Sequence, residues 1–210
     1  MYPQLAAIGV QSYYQGLTLH GVLNALVFTT FFITGFMNFA TSYVLKREPA
    51  VPTLNVVGFL VMLVGLLMAA VPLLLNEATV LFTFYPPLKA SPFFYIGLTL
   101  VVVGSWVCGA ALIATWAAWR KENPNARTPL IALGSMVNTV LWQICTLGLA
   151  IEMLTMLIPW SLGLIEGVDV QLARTFFWFT GHPLVYFWLL PAYISWYGMM
   201  PKQAGGKLFS

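Results

Sequence analysis

Apolar residues along this chain gather into five long runs, at roughly 17–45, 52–75, 92–119, 129–159 and 175–200. Short links between them hold Pro, Gly and nearly all of the charge. A helix of about 20 apolar residues crosses a bilayer, and within the hydrocarbon only helices and closed barrels satisfy their own backbone. The pattern therefore predicts an all-α membrane protein, a polytopic bundle of transmembrane helices with five spans. The whole of 1–210 reads as a single transmembrane domain. The first run is too long, and too far from any small-residue cleavage site, to be a secretory signal peptide.

Composition agrees with this class. The chain is 60% hydrophobic and 7% charged, with a mean hydropathy of +0.86, far from a soluble domain. Charge changes the picture by giving an orientation. Lys46, Arg47 and Glu48 follow the first run; Arg120, Lys121, Glu122 and Arg127 follow the third; Lys202 and Lys207 lie in the tail. The other links carry only Lys89 and Arg174 beside Glu77, Glu166 and Asp169. The positive-inside rule makes the first group cytoplasmic, with the N-terminus outside and the C-terminus inside. An outside N-terminus suggests a helix that precedes this chain. The net charge of +3 thus reports topology. No basic cluster, zinc-ligand spacing, phosphate loop or dinucleotide glycine pattern is present, so no nucleic-acid partner is expected. No internal repeat points to an inverted-repeat transporter. Cys108 and Cys145 fall mid-helix and read as buried thiols acting as small apolar residues.

The chain has two histidines, and both lie in apolar runs. Ionisable groups at membrane depth are read as functional by default, because a side chain unpaired there is costly. His182 sits about 10 Å below the outer end of the fifth helix at a rise of 1.5 Å per residue. His20 falls in the same outer third of the first helix, so the two imidazoles could serve one cofactor layer. A core histidine bonded to a neighbouring hydroxyl or carbonyl is the plainer alternative for each.

Tyr186, Tyr193 and Tyr197 follow His182 at helical spacings that bring all four to one face. Such a stripe could carry protons from the cytoplasmic end to a buried site. Core packing for Tyr193 and an interfacial aromatic belt for Tyr197 are the competing readings. Pro183 and Pro191 lie in the same helix, and each frees a carbonyl four residues back, at Phe179 and Phe187, that a neighbour must satisfy. Gly181 and Gly21 flank the histidines and remove bulk where a planar cofactor could approach. Glu152 lies in the fourth helix about 10 Å from its outer end, where proton transfer and pairing with a neighbouring helix are both open.

Four segments carry a resemblance. They are RTFFWFTGHPLVYFWLLPAYISWYGMMPKQAGGKL from Arg174, QSYYQGLTLHGVLNA at 11–25, LLLNEATVLFTFYPPLK at 73–89 and PWSLGLIEGVDVQLART at 159–175. Together they resemble subunit I of B-type haem–copper terminal oxidases, the cytochrome c oxidase type, over nearly the whole chain. The resemblance implies that the five spans belong to a larger subunit I fold of about twelve or thirteen helices. It implies His182 as a copper ligand, Tyr186 as a tyrosine covalently joined to that histidine, and His20 as an axial ligand of the low-spin haem iron. Tyr186, Tyr193 and Tyr197 would then form the proton path of the B-type enzymes. Leu184 stands where A-type relatives carry glutamate, which argues against that type.

The activity so implied is reduction of dioxygen to water with proton pumping in the aerobic respiratory chain of a prokaryotic cell membrane. Electrons would come from a cytochrome c-type donor through subunit II and its electron-accepting copper centre, then pass the low-spin haem to a high-spin haem and copper pair. Tyr186 would supply an electron and a proton to the reaction. The family needs six histidines for these metals and this chain has two, so an N-terminal fragment, inactive without the remainder of subunit I, is expected. Nitric oxide reductases share the architecture but generally lack the cross-linked tyrosine, and Tyr186 argues against them. The remaining alternative is a non-catalytic transporter or channel segment, which predicts no chromophore.

Overall fold

A computed structural model describes residues 9–208. They form five long helices: α1 Tyr13–Leu45, α2 Pro52–Leu74, α3 Pro92–Glu122, α4 Leu130–Ser161 and α5 Val170–Gln203. Local chemistry sets their ends. The Ser12 hydroxyl accepts the Gln15 amide at the start of α1, and the Asp169 carboxylate accepts the Leu172 amide at the start of α5. Both contacts satisfy amides that a helix start leaves bare. Pro52 and Pro92 open α2 and α3, where a missing N–H costs nothing. Two segments depart from α geometry: Val22–Phe28 within α1 and Met153–Leu157 within α4 are π-helical.

The helices α1 to α4 are each long and apolar enough to cross a membrane. The fifth predicted span departs from this description. Although α5 is 34 residues long, His182, three prolines and its many Trp and Tyr interrupt the apolar run. Packing supplies what composition does not. Phe179 lies on Gly148, the Phe187 carbonyl faces Asn138, Ile194 covers Gly134 and Ile131 covers Gly198. These contacts run antiparallel along most of α4, so α5 spans the same thickness as its neighbour.

Glycines bring α2 and α3 together most closely, with Gly58 and Gly65 facing Gly104 and Gly97. At one end of the bundle Tyr43, Pro129 and Tyr197 line a common cavity, and Arg47 pairs with Glu122 at 2.6 Å. The ends of α1, α3 and α5 and the start of α4 therefore share a side. At the other end the 75–91 loop turns into the bundle, burying Ala78, Val80, Phe84 and Ala90. Gln15 Nε2 donates to the Leu73 and Leu74 carbonyls at 2.9 and 3.1 Å, and Thr18 Oγ1 accepts the Leu81 amide at 2.8 Å. The phenyl of Phe84 packs edge-on against Phe94, Tyr95 and Phe177, which plugs this end.

Candidate functional site

Helix α5 turns Gly181, Leu184, Phe187, Pro191 and Ile194 inward. His182, Tyr186, Tyr193 and Tyr197 face the other way and are exposed. The bundle therefore does not bury His182 within itself, as reading it from an apolar run suggests, but presents it on an open face. Its Nε2 stands 3.3 Å from the Tyr186 hydroxyl, with the two ring centroids 5.1 Å apart. Nδ1 has no partner among the described residues, which leaves it available as a metal donor.

Further along the stripe the contacts lapse. Tyr193 packs edge-on against Trp196 at 5.6 Å, and among the described residues no side chain bridges it to Tyr186. The face exists, but this chain alone does not complete a hydrogen-bonded path along it.

His20 is exposed on α1, directly before the π segment. Asn24, inside that segment, donates from Nδ2 to the His20 carbonyl at 2.8 Å and lies 3.4 Å from its Nδ1. Nε2 is left without a partner among the described residues. Asn24 did not stand out in the sequence; its signal is a second polar side chain one turn after a histidine in an apolar run.

The relative level of the histidines follows from helix register. Phe28, Phe32 and Phe36 of α1 share one groove with Trp188, Pro191 and Ser195 of α5, and the two helices end on the same side. His20 lies eight residues before Phe28 and His182 six before Trp188, so both imidazoles stand beyond the same end of that groove.

Two glycine readings are corrected. A Cβ on Gly21 would fall 2.9 Å from Phe82 Cβ, and one on Gly181 would fall 2.6 Å from Trp178 Cε3. Their missing side chains make room for aromatic rings of this chain, not for a cofactor. The loop so revealed is the main element that sequence reading missed. Phe82 covers the turn after His20, while Tyr85 accepts a hydrogen bond from Trp178 Nε1, one turn before His182. Arg174 lies over the Tyr85 ring at 5.4 Å, and Lys89 over Trp160 at 5.1 Å. Cation–π contact of this kind ties the loop to α4 and α5.

Polar groups of α4 hold α5 in place. Thr180 Oγ1 donates to the Cys145 carbonyl at 2.7 Å and accepts the Leu149 amide at 3.0 Å, so the hydroxyl is inserted into the hydrogen-bond ladder of α4. The Phe187 carbonyl that Pro191 frees is satisfied by Asn138 Nδ2 at 3.2 Å. Glu152 is fully buried, with neither carboxylate oxygen partnered; among the described residues the pairing open to it in sequence is not made. Cys108 and Cys145 are buried free thiols. No group of three or more His, Cys, Asp or Glu that could hold a metal occurs among the described residues.

Comparison with known proteins places these features in a family. The chain is 50% identical over 201 residues to cytochrome c oxidase subunit 1 of Thermus thermophilus, covering 96% of this chain and 36% of that protein. It is 25% identical to cytochrome c oxidase subunit 1 of Alkalihalophilus pseudofirmus, over its full length and 36% of the relative. It thus spans about a third of the curated relatives it matches. Among solved structures, a cryo-EM structure of a heme-copper terminal oxidase dimer superposes with a TM-score of 0.86 at 47% identity, covering 90% of this chain and 34% of that one. Residues 1–210 match the family described as cytochrome c and quinol oxidase polypeptide I. The chain belongs to that family.

Proposed function

We propose that this chain is part of the catalytic subunit of a respiratory terminal oxidase that reduces dioxygen to water and moves protons across a prokaryotic plasma membrane. Residues 1–210 form one transmembrane domain of the larger helix bundle, with the N-terminus outside and the C-terminus cytoplasmic. The observation that carries this reading is the His182–Tyr186 contact at 3.3 Å, on an exposed face of a chain half identical to an oxidase subunit.

The donor set fits the groups that the family uses. Each histidine faces out of the bundle and keeps one ring nitrogen free, which suits a neutral imidazole ligand to haem iron or copper. His20 would hold the low-spin haem from one side, with Asn24 orienting its ring as an outer partner orients a ligand. His182 would hold copper beside a high-spin haem, and the remaining ligands would come from the rest of subunit I. Bound there, the metals supply the electron transfer and oxygen chemistry that no side chain can.

This chain's residues do the rest. Tyr186 keeps its hydroxyl at hydrogen-bonding distance from the copper-side imidazole. Tyr193 and Tyr197 would bring protons from the cytoplasmic end, with other helices filling the gap below Tyr186. Phe84, buried against Phe94, Tyr95 and Phe177, closes the outer end of this chain. Subunit II with its copper centre would deliver electrons from a cytochrome c-type donor.

Replacing each histidine by alanine in the assembled oxidase tests the ligand roles. His20→Ala removes the low-spin haem spectrum. His182→Ala lowers copper content and abolishes oxygen reduction while the low-spin spectrum remains. Unaltered spectra, metal content and turnover in both variants would show that these histidines bind no cofactor.

A further inference from the structure

Proline at 191 poses a problem inside a membrane helix. It brings no N–H, so the Phe187 carbonyl loses its helical partner in a place where water is not available to replace it. Phe187 is fully buried and Pro191 is buried beside it. The break falls between the His182–Tyr186 turn and the Tyr193–Tyr197 turn of the same helix.

The carbonyl is met from α4. Asn138 is fully buried; its Nδ2 lies 3.2 Å from the Phe187 oxygen and 3.2 Å from Met37 Sδ. Two acceptors on one side turn the amide nitrogen toward α5 and leave Oδ1 without a partner. An amide with an orphaned oxygen is a poor choice for packing alone, since an apolar side chain of similar size would avoid the desolvation cost. One turn along α4, the Trp142 ring stacks on the Phe187 ring with centroids 4.2 Å apart and planes 22° from parallel. Helix α4 thus grips Phe187 by main chain and side chain together, one residue after Tyr186. Above, Thr180 fixes α5 to α4 two residues before His182.

We infer that Asn138 is a positioning residue for the ligand-bearing helix: its amide supplies the hydrogen bond that Pro191 withholds, and so fixes the offset between the His182–Tyr186 and Tyr193–Tyr197 halves of α5. It touches none of the reacting groups. The effect on turnover rests on the proposed proton path; the clamp itself does not.

The test is a double-mutant cycle in the assembled enzyme, with Asn138→Leu made in the Pro191 and in the Pro191→Ala backgrounds. Alanine restores the missing N–H, so the Phe187 carbonyl no longer needs Asn138. Turnover, its solvent deuterium isotope effect and the thermal midpoint are read in all four proteins, with haem spectra recording metal content. With Pro191 present, Asn138→Leu lowers turnover several-fold, raises the isotope effect and lowers the midpoint while the haem spectra stay unchanged. In the Pro191→Ala background the same substitution changes these quantities little.

Equal losses in both backgrounds, or none with Pro191, overturn the inference. If Asn138→Leu does not assemble, the double variant must, and failure of both also overturns it. Tyr193→Phe separates the two layers. Normal turnover in that variant, with the cancellation persisting in the thermal midpoint, rejects the proton path and leaves the clamp standing.

Discussion

Gly65 and Gly97 meet backbone to backbone: a Cβ built on Gly65 would stand 2.5 Å from the Gly97 carbonyl oxygen, and one on Gly97 2.6 Å from the Gly65 oxygen. Between membrane helices the attraction is close packing, and small residues permit it. Gly65→Ala therefore forces α2 and α3 apart along their length. We expect a loss of roughly 1–3 kcal/mol, in the range of overpacked cores, read as a lowered thermal midpoint in detergent. Gly35, with nothing within 4 Å of its would-be Cβ, is the control, and Gly35→Ala leaves the midpoint unchanged or slightly raised, since alanine favours a helix interior over glycine. Equal behaviour of the two variants would mean that the close approach does not hold the pair together.

Thr180 offers a finer probe of how α5 sits on α4. Thr180→Val keeps the shape and removes both hydrogen bonds of the hydroxyl, leaving buried backbone groups in want of partners at a cost of about 1–3 kcal/mol. Thr180→Ser keeps the hydroxyl and most of the stability. A valine variant as stable as the parent, with the serine variant unstable, would assign the contact to the methyl group instead.

The 75–91 loop predicts a graded response at Tyr85. Tyr85→Phe removes the acceptor for Trp178 but keeps the ring under Arg174, at a cost of about 0.5–1.5 kcal/mol. Tyr85→Leu also removes the ring, and cation–π loss adds about 0.5–1 kcal/mol. Identical thermal midpoints for the two variants would show that the Arg174 contact contributes nothing to stability.

For the proposed proton path, Tyr193→Phe slows turnover in the assembled enzyme without altering haem spectra or copper content. Full turnover in that variant would remove Tyr193 from the path.

Much of this architecture is legible without coordinates, for a physical reason. A bilayer demands long apolar runs, so the five helices stand at nearly the positions that the runs predict, and His20 and His182 are conspicuous as the histidines at membrane depth. The carbonyl freed by Pro191 is predictable too, since the missing donor is a covalent fact. Its partner is not: nothing local to Asn138 says that the fourth helix faces the fifth in that register. The role of the 75–91 loop is hidden for a similar reason. Its Phe, Tyr and Pro residues look like any interfacial stretch until tertiary contacts set Phe82 on Gly21 and Tyr85 beside Trp178. The exposure of the tyrosine stripe is likewise a property of which faces α4 covers, and periodicity alone does not choose between them.

The π-helical segment Val22–Phe28 bears on how this protein tolerates change in chain length. Such a segment is an α-helix that has taken in an extra residue locally. In an ordinary spanning helix, loss of one residue rotates everything beyond it by about 100° and turns the packed face outward. Here the same loss can be absorbed by reversion to α geometry, with the His20 half and the Phe32–Tyr43 half each keeping its face. A single-codon deletion, ruinous in the regular α-helical stretches of the bundle, would at this stretch of α1 shorten the helix and leave its neighbours in register.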